Sequence, residues 1–335
     1  MPVRENTTGR EVAGSAEELL ARATTRTPMA TIDGKSAVPM ERVVIDGAAY
    51  VVKRLGPSLD WIARATGDYV ARVGTCWRMG ILDRLPDCFD HAIEAVAFDP
   101  ADGTTTLLMR DVAEALVPEG DEPVPFEQHR RFLDHMAQLH VRFWELATMP
   151  ELTAMSVRYT ALSPLTAQTE AALGSGAGVP AMLPGFWAAL DDAAPAAARV
   201  ARELAGDPWP LVRALQRTPA TFVHGDWKMG NLGSHADGRT VLLDWQWPGV
   251  APGCVDLMWY LAINAARVPE PKDDAITAYR NRLEWYGVAT DPWFDEQLSL
   301  ATLGAFVQLG WNKADDADEL EWWTSRAMKA ATTLS

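Results

Sequence analysis

The sequence predicts an α+β protein of two lobes, with a β-rich N-terminal lobe built on an antiparallel sheet and a mainly helical C-terminal lobe. Two observations support this prediction. In the first third of the 335 residues, β-rich runs come in pairs around turns, whereas later residues show apolar side chains at helical spacing. Residues 110–120 contain Pro118 and Gly120 and are typical of a connection. We therefore expect one lobe from residues 1–112 and the other from residues 113–335.

Residues 1–30 are expected to form an N-terminal extension with one short helix. Ser15 and Glu18 have the spacing of a capping box, in which a hydroxyl and a carboxylate satisfy backbone N–H groups at a helix start. Leu19, Leu20 and Ala23 would then supply the apolar positions of that helix.

The sheet is predicted from two pairs of β-rich runs. The first pair surrounds Asp46-Gly47, which is a strong signal for a two-residue hairpin turn. The second pair surrounds a turn at residues 99–103, and residues 59–78 between the pairs have helical spacing. The four runs are residues 42–45, 49–53, 92–98 and 104–109.

The C-terminal lobe is predicted from apolar stripes on amphipathic segments. Pro195 should end or kink one of these helices, because proline lacks an N–H and its ring clashes with the preceding turn. Residues 171–179, rich in Ala and Gly, are expected to form a flexible loop. The expected helical segments are residues 126–146, 186–205, 255–266, 273–286 and 293–313.

Charge and composition exclude several classes of partner. The formal net charge of −15 argues against binding to nucleic acid or to an anionic membrane, because both need a basic surface. No stretch approaches the roughly 20 apolar residues of a membrane span, and no signal pattern precedes the helical segment, so we expect a cytoplasmic protein. Cys76, Cys88 and Cys254 are widely spaced, which disfavours a disulfide framework and a zinc site.

Residues 221–245 concentrate the polar groups that phosphoryl transfer requires. A short apolar run ends in His224-Gly225-Asp226, Asn231 follows, and a second apolar run ends in Asp244. Phosphoryl transfer needs a carboxylate that orients the attacking hydroxyl and accepts its proton, together with oxygen ligands for Mg²⁺. This strand–loop–strand segment can supply all of them: Asp226 as the base, and Asn231 and Asp244 as the metal ligands.

The same motifs carry a family resemblance. His224-Gly225-Asp226 with Asn231, followed by Leu243-Asp244-Trp245, resembles the catalytic-loop and metal-motif pair of the aminoglycoside phosphotransferase and choline kinase superfamily, whose members are relatives of the protein kinases. In outline the resemblance extends over residues 31–266. It implies a bilobal protein-kinase-like fold, ATP as the donor, and Mg²⁺ bound by Asn231 and Asp244. It also implies that the N-terminal lobe binds the nucleotide and that the C-terminal lobe holds the catalytic residues and the acceptor.

Two lysines match further positions of the family. Lys53 closes a β-rich run and matches the lysine that neutralises phosphate oxygens of the nucleotide. Lys228 matches the lysine that protein kinases place near the transferred phosphate. The sequence departs from the family in one respect: the expected helix glutamate that pairs with Lys53 is absent from residues 68–80. Asp60, Asp68 or no residue takes its place.

The rest of the nucleotide site is expected at two positions. Gly34, Lys35 and Ser36 lie in a turn that could place backbone amides and one ammonium near phosphates, although no G-x-G-x-x-G motif is present. Met109 and Asp111 match the hinge, whose backbone would bind the nucleotide base.

Three residues near the motifs are expected to have structural roles. Asp256 resembles the family's aspartate that holds the catalytic loop by hydrogen bonds, and His224 is expected to brace the same loop. His140, on the apolar face of residues 126–146, is expected to be a hydrogen-bonded core histidine.

The acceptor site is expected among the C-terminal helices, where aromatic faces and carboxylates could bind a cationic molecule. The alternative is that the aromatic residues belong to the core and the acidic residues to a solvated surface. The tryptophans are Trp285, Trp293, Trp311, Trp322 and Trp323. The acidic residues are Glu284, Asp295, Asp315, Asp316, Asp318, Glu319 and Glu321.

The sequence thus predicts an ATP- and Mg²⁺-dependent phosphotransferase that acts on a hydroxyl of a small molecule. Amino sugars, aminoglycosides and other cationic alcohols are the candidate acceptors. The missing helix glutamate motivates one alternative, a catalytically weak nucleotide-binding regulatory protein. A second alternative is a metal-dependent hydrolase that uses His224, Asp226, His235 and Asp244, which is disfavoured because no metal-spaced histidine pair occurs.

Overall fold

The computed structural model describes residues 12–29, 38–174 and 178–334, and these residues form the expected bilobal α+β fold. Five of the first six strands form one antiparallel sheet in the N-terminal lobe, with the order β1-β2-β3-β6-β5. The six strands are β1 (Ala23–Met29), β2 (Met40–Ile45), β3 (Ala48–Leu55), β4 (Phe89–Asp90), β5 (Ile93–Asp99) and β6 (Thr104–Arg110).

The hairpin predicted at Asp46-Gly47 is confirmed. Both residues have positive φ, 51° and 81°, as the favoured two-residue hairpin turn requires, and the turn joins β2 to β3. Lys53, near the end of β3, lies between Met40 and Leu107 of the neighbouring strands. The sheet therefore fixes the position of Lys53 from both sides.

The N-terminal residues differ in part from the expectation. The short helix α1 (Ala16–Leu20) is present, and the hydroxyl of Ser15 accepts a hydrogen bond from the N–H of Glu18 at 3.1 Å. Ala23 and the residues after it, however, form the edge strand β1 rather than part of that helix. Threonines favour strands, and Pro28 is tolerated at a sheet edge because it has no N–H to donate. Gly34, Lys35 and Ser36 lie outside the described residues.

Residues 59–78 form two helices rather than one. They are α2 (Trp61–Thr66) and α3 (Arg72–Arg78). Gly67, with φ of 64°, ends α2 in the left-handed conformation that glycine adopts at low cost. Asp60 caps the start of α2, where its carboxylate accepts a hydrogen bond from the N–H of Ile62 at 2.9 Å.

The C-terminal lobe is helical, and the five expected helical segments are confirmed with shifted ends. Pro195 separates α7 from α8, as predicted. Helix α6 covers the start of the loop expected at residues 171–179, and α13 lies in the acidic segment for which no helix was predicted. The helices are α4 (Phe126–Arg142), α5 (Met155–Thr160), α6 (Pro164–Ala172), α7 (Val179–Ala193), α8 (Pro195–Gly206), α9 (Trp209–Leu215), α10 (Cys254–Ile263), α11 (Lys272–Trp285), α12 (Phe294–Leu309) and α13 (Ala317–Ala331).

Four short strands between α9 and α10 carry the motif residues. They are β7 (Thr221–Val223), β8 (Leu232–Ser234), β9 (Thr240–Leu242) and β10 (Gly249–Ala251). Strand β7 pairs with β10, while β8 and β9 form an antiparallel hairpin, and β4 extends this hairpin by pairing parallel to β9. Across the described ranges, no helix is both long and apolar enough to span a bilayer.

Candidate active site

The carboxylate of Asp226 lies in the loop between β7 and β8 and is almost completely buried. Its Oδ2 accepts a hydrogen bond from Asn231 Nδ2 at 2.9 Å and lies 3.1 Å from Lys228 Nζ. Its Oδ1 accepts a hydrogen bond from the indole of Trp259 at 3.2 Å. Three sequence-predicted residues, Asp226, Lys228 and Asn231, are therefore in direct contact.

Lys228 is held as an ammonium by its surroundings. Burial disfavours the charged form, but the carboxylates of Asp226 and Asp244 outweigh that effect and raise the pKa of Lys228. Its side chain remains about one-third exposed, at 35%. The lysine can therefore place a permanent positive charge beside Asp226 and still reach the cleft.

Asp244 follows β9 and faces Lys53 of the other lobe. Lys53 Nζ lies 2.8 Å from Asp244 Oδ1. Burial alone would raise the pKa of Asp244, but the positive charges of Lys53 and Lys228 lower it, so the carboxylate is ionised at neutral pH. Asp244 also has φ of 64°, a conformation that is uncommon for residues other than glycine and that concentrates at functional sites.

The partner of Lys53 is not a helix glutamate. Lys53 Nζ donates a second hydrogen bond to Gln246 Oε1 at 3.1 Å, and Gln246 Nε2 donates to Asp60 Oδ2 at 2.5 Å. Asp68 instead accepts a hydrogen bond from the backbone N–H of Arg72 at 2.9 Å. Of the two candidates from the sequence, Asp60 reaches Lys53 through Gln246, and Asp68 does not.

Asp256 holds the loop that contains Asp226, as expected. Its carboxylate accepts hydrogen bonds from the backbone N–H groups of His224 and Gly225, both at 2.8 Å, and from the indole of Trp227 at 2.9 Å. His140 Nε2 lies 3.3 Å from the same carboxylate, and its Nδ1 accepts from the hydroxyl of Tyr279 at 2.6 Å. His140 is thus a hydrogen-bonded core histidine.

His224 braces the loop from the other side. Its Nε2 donates to the carbonyl of Leu243 at 3.0 Å, and its Nδ1 accepts from the N–H of Asp226 at 3.2 Å. Burial lowers the pKa of His224, which keeps the ring neutral and suits this pattern of one donor and one acceptor. The histidine therefore couples the loop that contains Asp226 to the strand end that leads to Asp244.

Two further residues shape the loop and were not predicted from the sequence. The side chain of Asn264 accepts from the N–H of Met229 at 2.8 Å and donates to the carbonyl of Trp227 at 2.9 Å. Arg158 is fully buried and donates to the carbonyls of Gly225 and Trp247. A Cβ at Gly225 would collide with Arg158 and with the carbonyl of Trp247, so this position requires glycine.

A cavity of about 890 Å³ lies between the lobes. Residues from both lobes line it, including Lys53, Gln246 and the expected hinge residues Met109 and Asp111. Asp226 does not line the cavity. Lys228 and Asn231, which contact the carboxylate of Asp226, do line the cavity. Asp111 is also paired with Arg42 at 2.9 Å.

The aromatic cluster expected at the acceptor site does not line this cavity. Trp311 and Trp323 are buried in the core of the C-terminal lobe, and the guanidinium of Arg326 stacks on Trp322 at 4.0 Å. Several of the acidic residues have structural partners: Asp316 caps α13, and Glu319 pairs with Lys272. Trp311 and Trp323 are therefore core residues, whereas Trp285 is exposed at the surface.

The residues of the proposed hydrolase site are not assembled as a metal centre. His235 Nε2 contacts Asp90 Oδ2 at 2.8 Å instead of Asp226. Within residues 12–29, 38–174 and 178–334, no group of three or more His, Cys, Asp and Glu side chains is arranged to hold a metal ion. The two metal ligands predicted from the sequence, Asn231 and Asp244, both line the cavity. Mg²⁺ commonly uses one or two protein carboxylates together with phosphate oxygens.

Comparison with known proteins identifies the fold. No protein-family model and no curated protein sequence matches the chain. Choline kinase LicA from Streptococcus pneumoniae superposes with a TM-score of 0.52 at 10% sequence identity, over 95% of this chain and 97% of that chain. A thermostable mutant of aminoglycoside phosphotransferase APH(4)-Ia gives 0.46 at 11% identity, over 95% and 97% of the two chains. The microcompartment-associated aminopropanol kinase gives 0.48 at 13% identity, over 95% of each chain.

Of these three TM-scores, the one for choline kinase LicA exceeds 0.5, so the assignment of the fold is based on that structure. At 10% identity it establishes the fold and no more. The chain therefore has the bilobal protein-kinase-like fold of choline kinase, which confirms at the level of fold the resemblance that the motifs indicate.

Proposed function

We propose that the protein is a phosphotransferase that moves the terminal phosphoryl group of ATP to a hydroxyl of a small molecule. The observation that carries this proposal is that Lys228 and Asn231, which contact Asp226, line the same cavity as the Lys53–Asp244 pair. This arrangement supplies a carboxylate for the acceptor and positive charges for the phosphates.

The reaction would proceed by attack of the acceptor oxygen on the terminal phosphorus, with the nucleoside diphosphate as the leaving group. Asp226 would orient the attacking hydroxyl and accept its proton. Lys228, at 3.1 Å from Asp226, would place its ammonium near the transferred phosphoryl group, while Lys53 would bind oxygens of the remaining phosphates. Residues 1–112 would thus contribute the nucleotide side of the cleft, and residues 113–335 the catalytic and acceptor side.

The metal ligands fit Mg²⁺ by their chemistry. Asn231 uses its amide nitrogen for Asp226, so its amide oxygen is the atom that could bind a cation, and the lowered pKa of Asp244 keeps its carboxylate ionised. When bound there, Mg²⁺ would offset the negative charge of the phosphate oxygens.

The observed partners of Lys53 favour an active enzyme over the regulatory alternative. That alternative was motivated by the missing helix glutamate, yet Lys53 is held by Asp244 at 2.8 Å and by Gln246 at 3.1 Å. The acceptor is best sought first among amino sugars, aminoglycosides and choline. Glu119 and Asp121 line the cavity, and the formal net charge is −15.

The test is acceptor-dependent ADP formation with a panel of these cationic alcohols and plain sugars. We expect Asp226→Asn to lower turnover at least about 100-fold, the usual contribution of a positioned general base, while nucleotide affinity changes only a few-fold. Asp244→Ala serves as the comparison and should lose Mg²⁺-dependent nucleotide binding. Wild-type turnover in Asp226→Asn would contradict the assignment, and nucleotide binding without turnover on any acceptor would favour the regulatory protein.

A further inference from the structure

The side chain of Gln246 connects the two lobes at the ammonium of Lys53. Its amide oxygen accepts from Lys53 Nζ at 3.1 Å, and its amide nitrogen donates to Asp60 Oδ2 at 2.5 Å. Both Gln246 and Asp60 are buried, with 5% and 1% of their surface exposed. Water therefore competes little with these hydrogen bonds, and each one is costly to leave unpaired.

The chemistry of the three groups fixes the orientation of the amide. An ionised carboxylate only accepts hydrogen bonds, and an ammonium only donates them. The amide nitrogen of Gln246 must therefore face Asp60, and its oxygen must face Lys53. Rotating the amide by half a turn would place two donors together at one end and two acceptors at the other.

Asp60 is itself fixed by α2. Its second oxygen, Oδ1, accepts from the N–H of Ile62 at 2.9 Å, so the carboxylate is tied to the helix start. Burial raises the pKa of Asp60, whereas the hydrogen bonds from Ile62 and Gln246 and the charge of Lys53 oppose that rise. Lys53 and Gln246 line the cavity and Asp60 does not, so Asp60 is joined to the cavity by its hydrogen bond with Gln246.

We propose that Gln246 and Asp60 are positioning residues for Lys53, in place of the helix glutamate that the family resemblance led us to expect. This inference rests on the proposed function, in which Lys53 binds nucleotide phosphates. Two groups contact the ammonium, the carboxylate of Asp244 at 2.8 Å and the amide of Gln246 at 3.1 Å. Gln246 therefore adds a second, directional contact that holds the ammonium in place, and Asp60 in turn orients the amide of Gln246.

The test compares variants that break this chain of hydrogen bonds with a variant that rebuilds it. Asp60→Ser keeps a helix-capping hydroxyl but is too short to reach Gln246, and Gln246→Met keeps the volume but removes both polar atoms. In the double variant Asp60→Asn/Gln246→Glu the carboxylate and the amide exchange places. The amide now at position 60 can cap α2 and donate to the carboxylate now at position 246. That carboxylate can also accept from Lys53, so the net charge and all the hydrogen bonds are retained.

Two measurements report on Lys53 without turnover. The first is the affinity for adenylyl imidodiphosphate with Mg²⁺, and the second is the rate at which trinitrobenzenesulfonate labels the Lys53 amine, followed by peptide mass spectrometry. We expect both single variants to bind the analogue about tenfold more weakly and to label faster, as loss of a hydrogen bond to a charged group implies. The double variant should return to within about threefold of wild type in both measurements.

Asp68→Asn is the matched control, because Asp68 is another buried carboxylate of the α2–α3 segment and contacts Arg72 instead of Gln246. It should leave labelling and affinity unchanged. Single variants that match wild type, or a folded double variant no better than the single variants, would overturn the proposal. If the proposed function is wrong because the protein binds no nucleotide, the wild type will bind no analogue, yet the labelling rates will still test the contact between Gln246 and Lys53.

Discussion

At the scale of single residues, the carboxylate of Asp256 determines the shape of the catalytic loop. It is fully buried and is surrounded by donors: two backbone N–H groups, the indole of Trp227 and the ring of His140. Burial alone would raise the pKa of Asp256, but the hydrogen bond from His140 lowers it, so the residue is ionised and acts only as an acceptor.

Asp256→Asn should therefore be destabilising although the two side chains have nearly the same shape. Its amide nitrogen would face a donor in either orientation, which leaves at least one buried pair of donors in conflict. We expect a loss of about 2–4 kcal/mol in the free energy of unfolding, measured by urea denaturation, and a fall in turnover because the backbone before Asp226 is released.

Asp237→Asn is the control for that substitution. Asp237 is an exposed turn residue that accepts from the N–H of Arg239 at 3.0 Å, and asparagine can form the same turn. It should leave both stability and turnover close to wild type. Equal stability of the Asp256→Asn and wild-type proteins would show that Asp256 does not hold the loop.

The site residues that the sequence predicts correctly as neighbours are those whose spacing is local. Asp226 and Asn231 are five residues apart, and their contact follows from the tight loop between β7 and β8. Gln246 was not recognised, because its contacts with Lys53 and Asp60 join residues separated by 193 and 186 positions. No periodicity or motif in one sequence reports a contact between such distant residues.

At the scale of elements, Asp90 on β4 connects the β8–β9 hairpin with the end of β6. It accepts from His235 Nε2, just beyond β8, at 2.8 Å, and from the guanidinium of Arg110 at the end of β6. Burial would raise the pKa of Asp90, but the hydrogen bonds from Arg110, from the N–H of Ala92 and from His235 lower it from 3.8 to about 2.

Because the pKa of Asp90 is lowered, the free energy of unfolding is expected to depend on pH in the acidic range. A carboxyl with a lowered pKa stabilises the fold above its unfolded pKa, and that contribution is lost as the pH falls from about 4 to about 2. We expect Asp90→Asn to cost about 1–2 kcal/mol near neutral pH, and the difference from wild type to shrink towards zero at about pH 2. Chemical denaturation across this pH range measures the difference.

Glu94→Gln provides the comparison, because Glu94 is the exposed partner of Arg110, with 46% of its side chain accessible. Exposed ion pairs contribute little, so this variant should follow the wild-type pH dependence. If the difference between Asp90→Asn and wild type stayed constant from neutral pH to about pH 2, ionisation of Asp90 could not be its cause.

The elements themselves were predictable where the local chemistry is distinctive. The Asp46-Gly47 hairpin and the break at Pro195 follow from backbone preferences of these residues. Helix α13 was missed because its dense acidic residues obscure the few buried positions, Trp323, Ala327 and Ala330. The split at Gly67 was missed because the apolar spacing continues on both sides of it.

At the scale of the whole molecule, the ion pair between Arg64 and Glu170 joins helices of the two lobes. Arg64 on α2 makes a bidentate contact with Glu170 on α6, with Nε–Oε1 at 2.9 Å and Nη2–Oε2 at 2.5 Å. The carboxylate is buried, with 2% of the side chain exposed. Asp60 caps the start of α2 and accepts a hydrogen bond from Gln246. The ion pair of Arg64 therefore fixes the helix whose cap positions Gln246 beside Lys53.

Breaking this pair should cost more than breaking a similar pair at the surface. Glu170→Gln leaves Arg64 without its carboxylate, and we expect a loss of about 2–4 kcal/mol in the free energy of unfolding, slightly below the usual cost for fully buried pairs because Arg64 is 24% exposed. Arg202 and Asp191 form an equally bidentate pair between α8 and α7, but 36% and 44% of these two side chains are accessible to solvent, so Asp191→Asn should cost less than about 1 kcal/mol. Urea denaturation of the two variants measures the comparison, and labelling of Lys53 should rise in Glu170→Gln alone. Equal losses in the two variants would show that the contact between the lobes contributes no more than an ordinary surface ion pair.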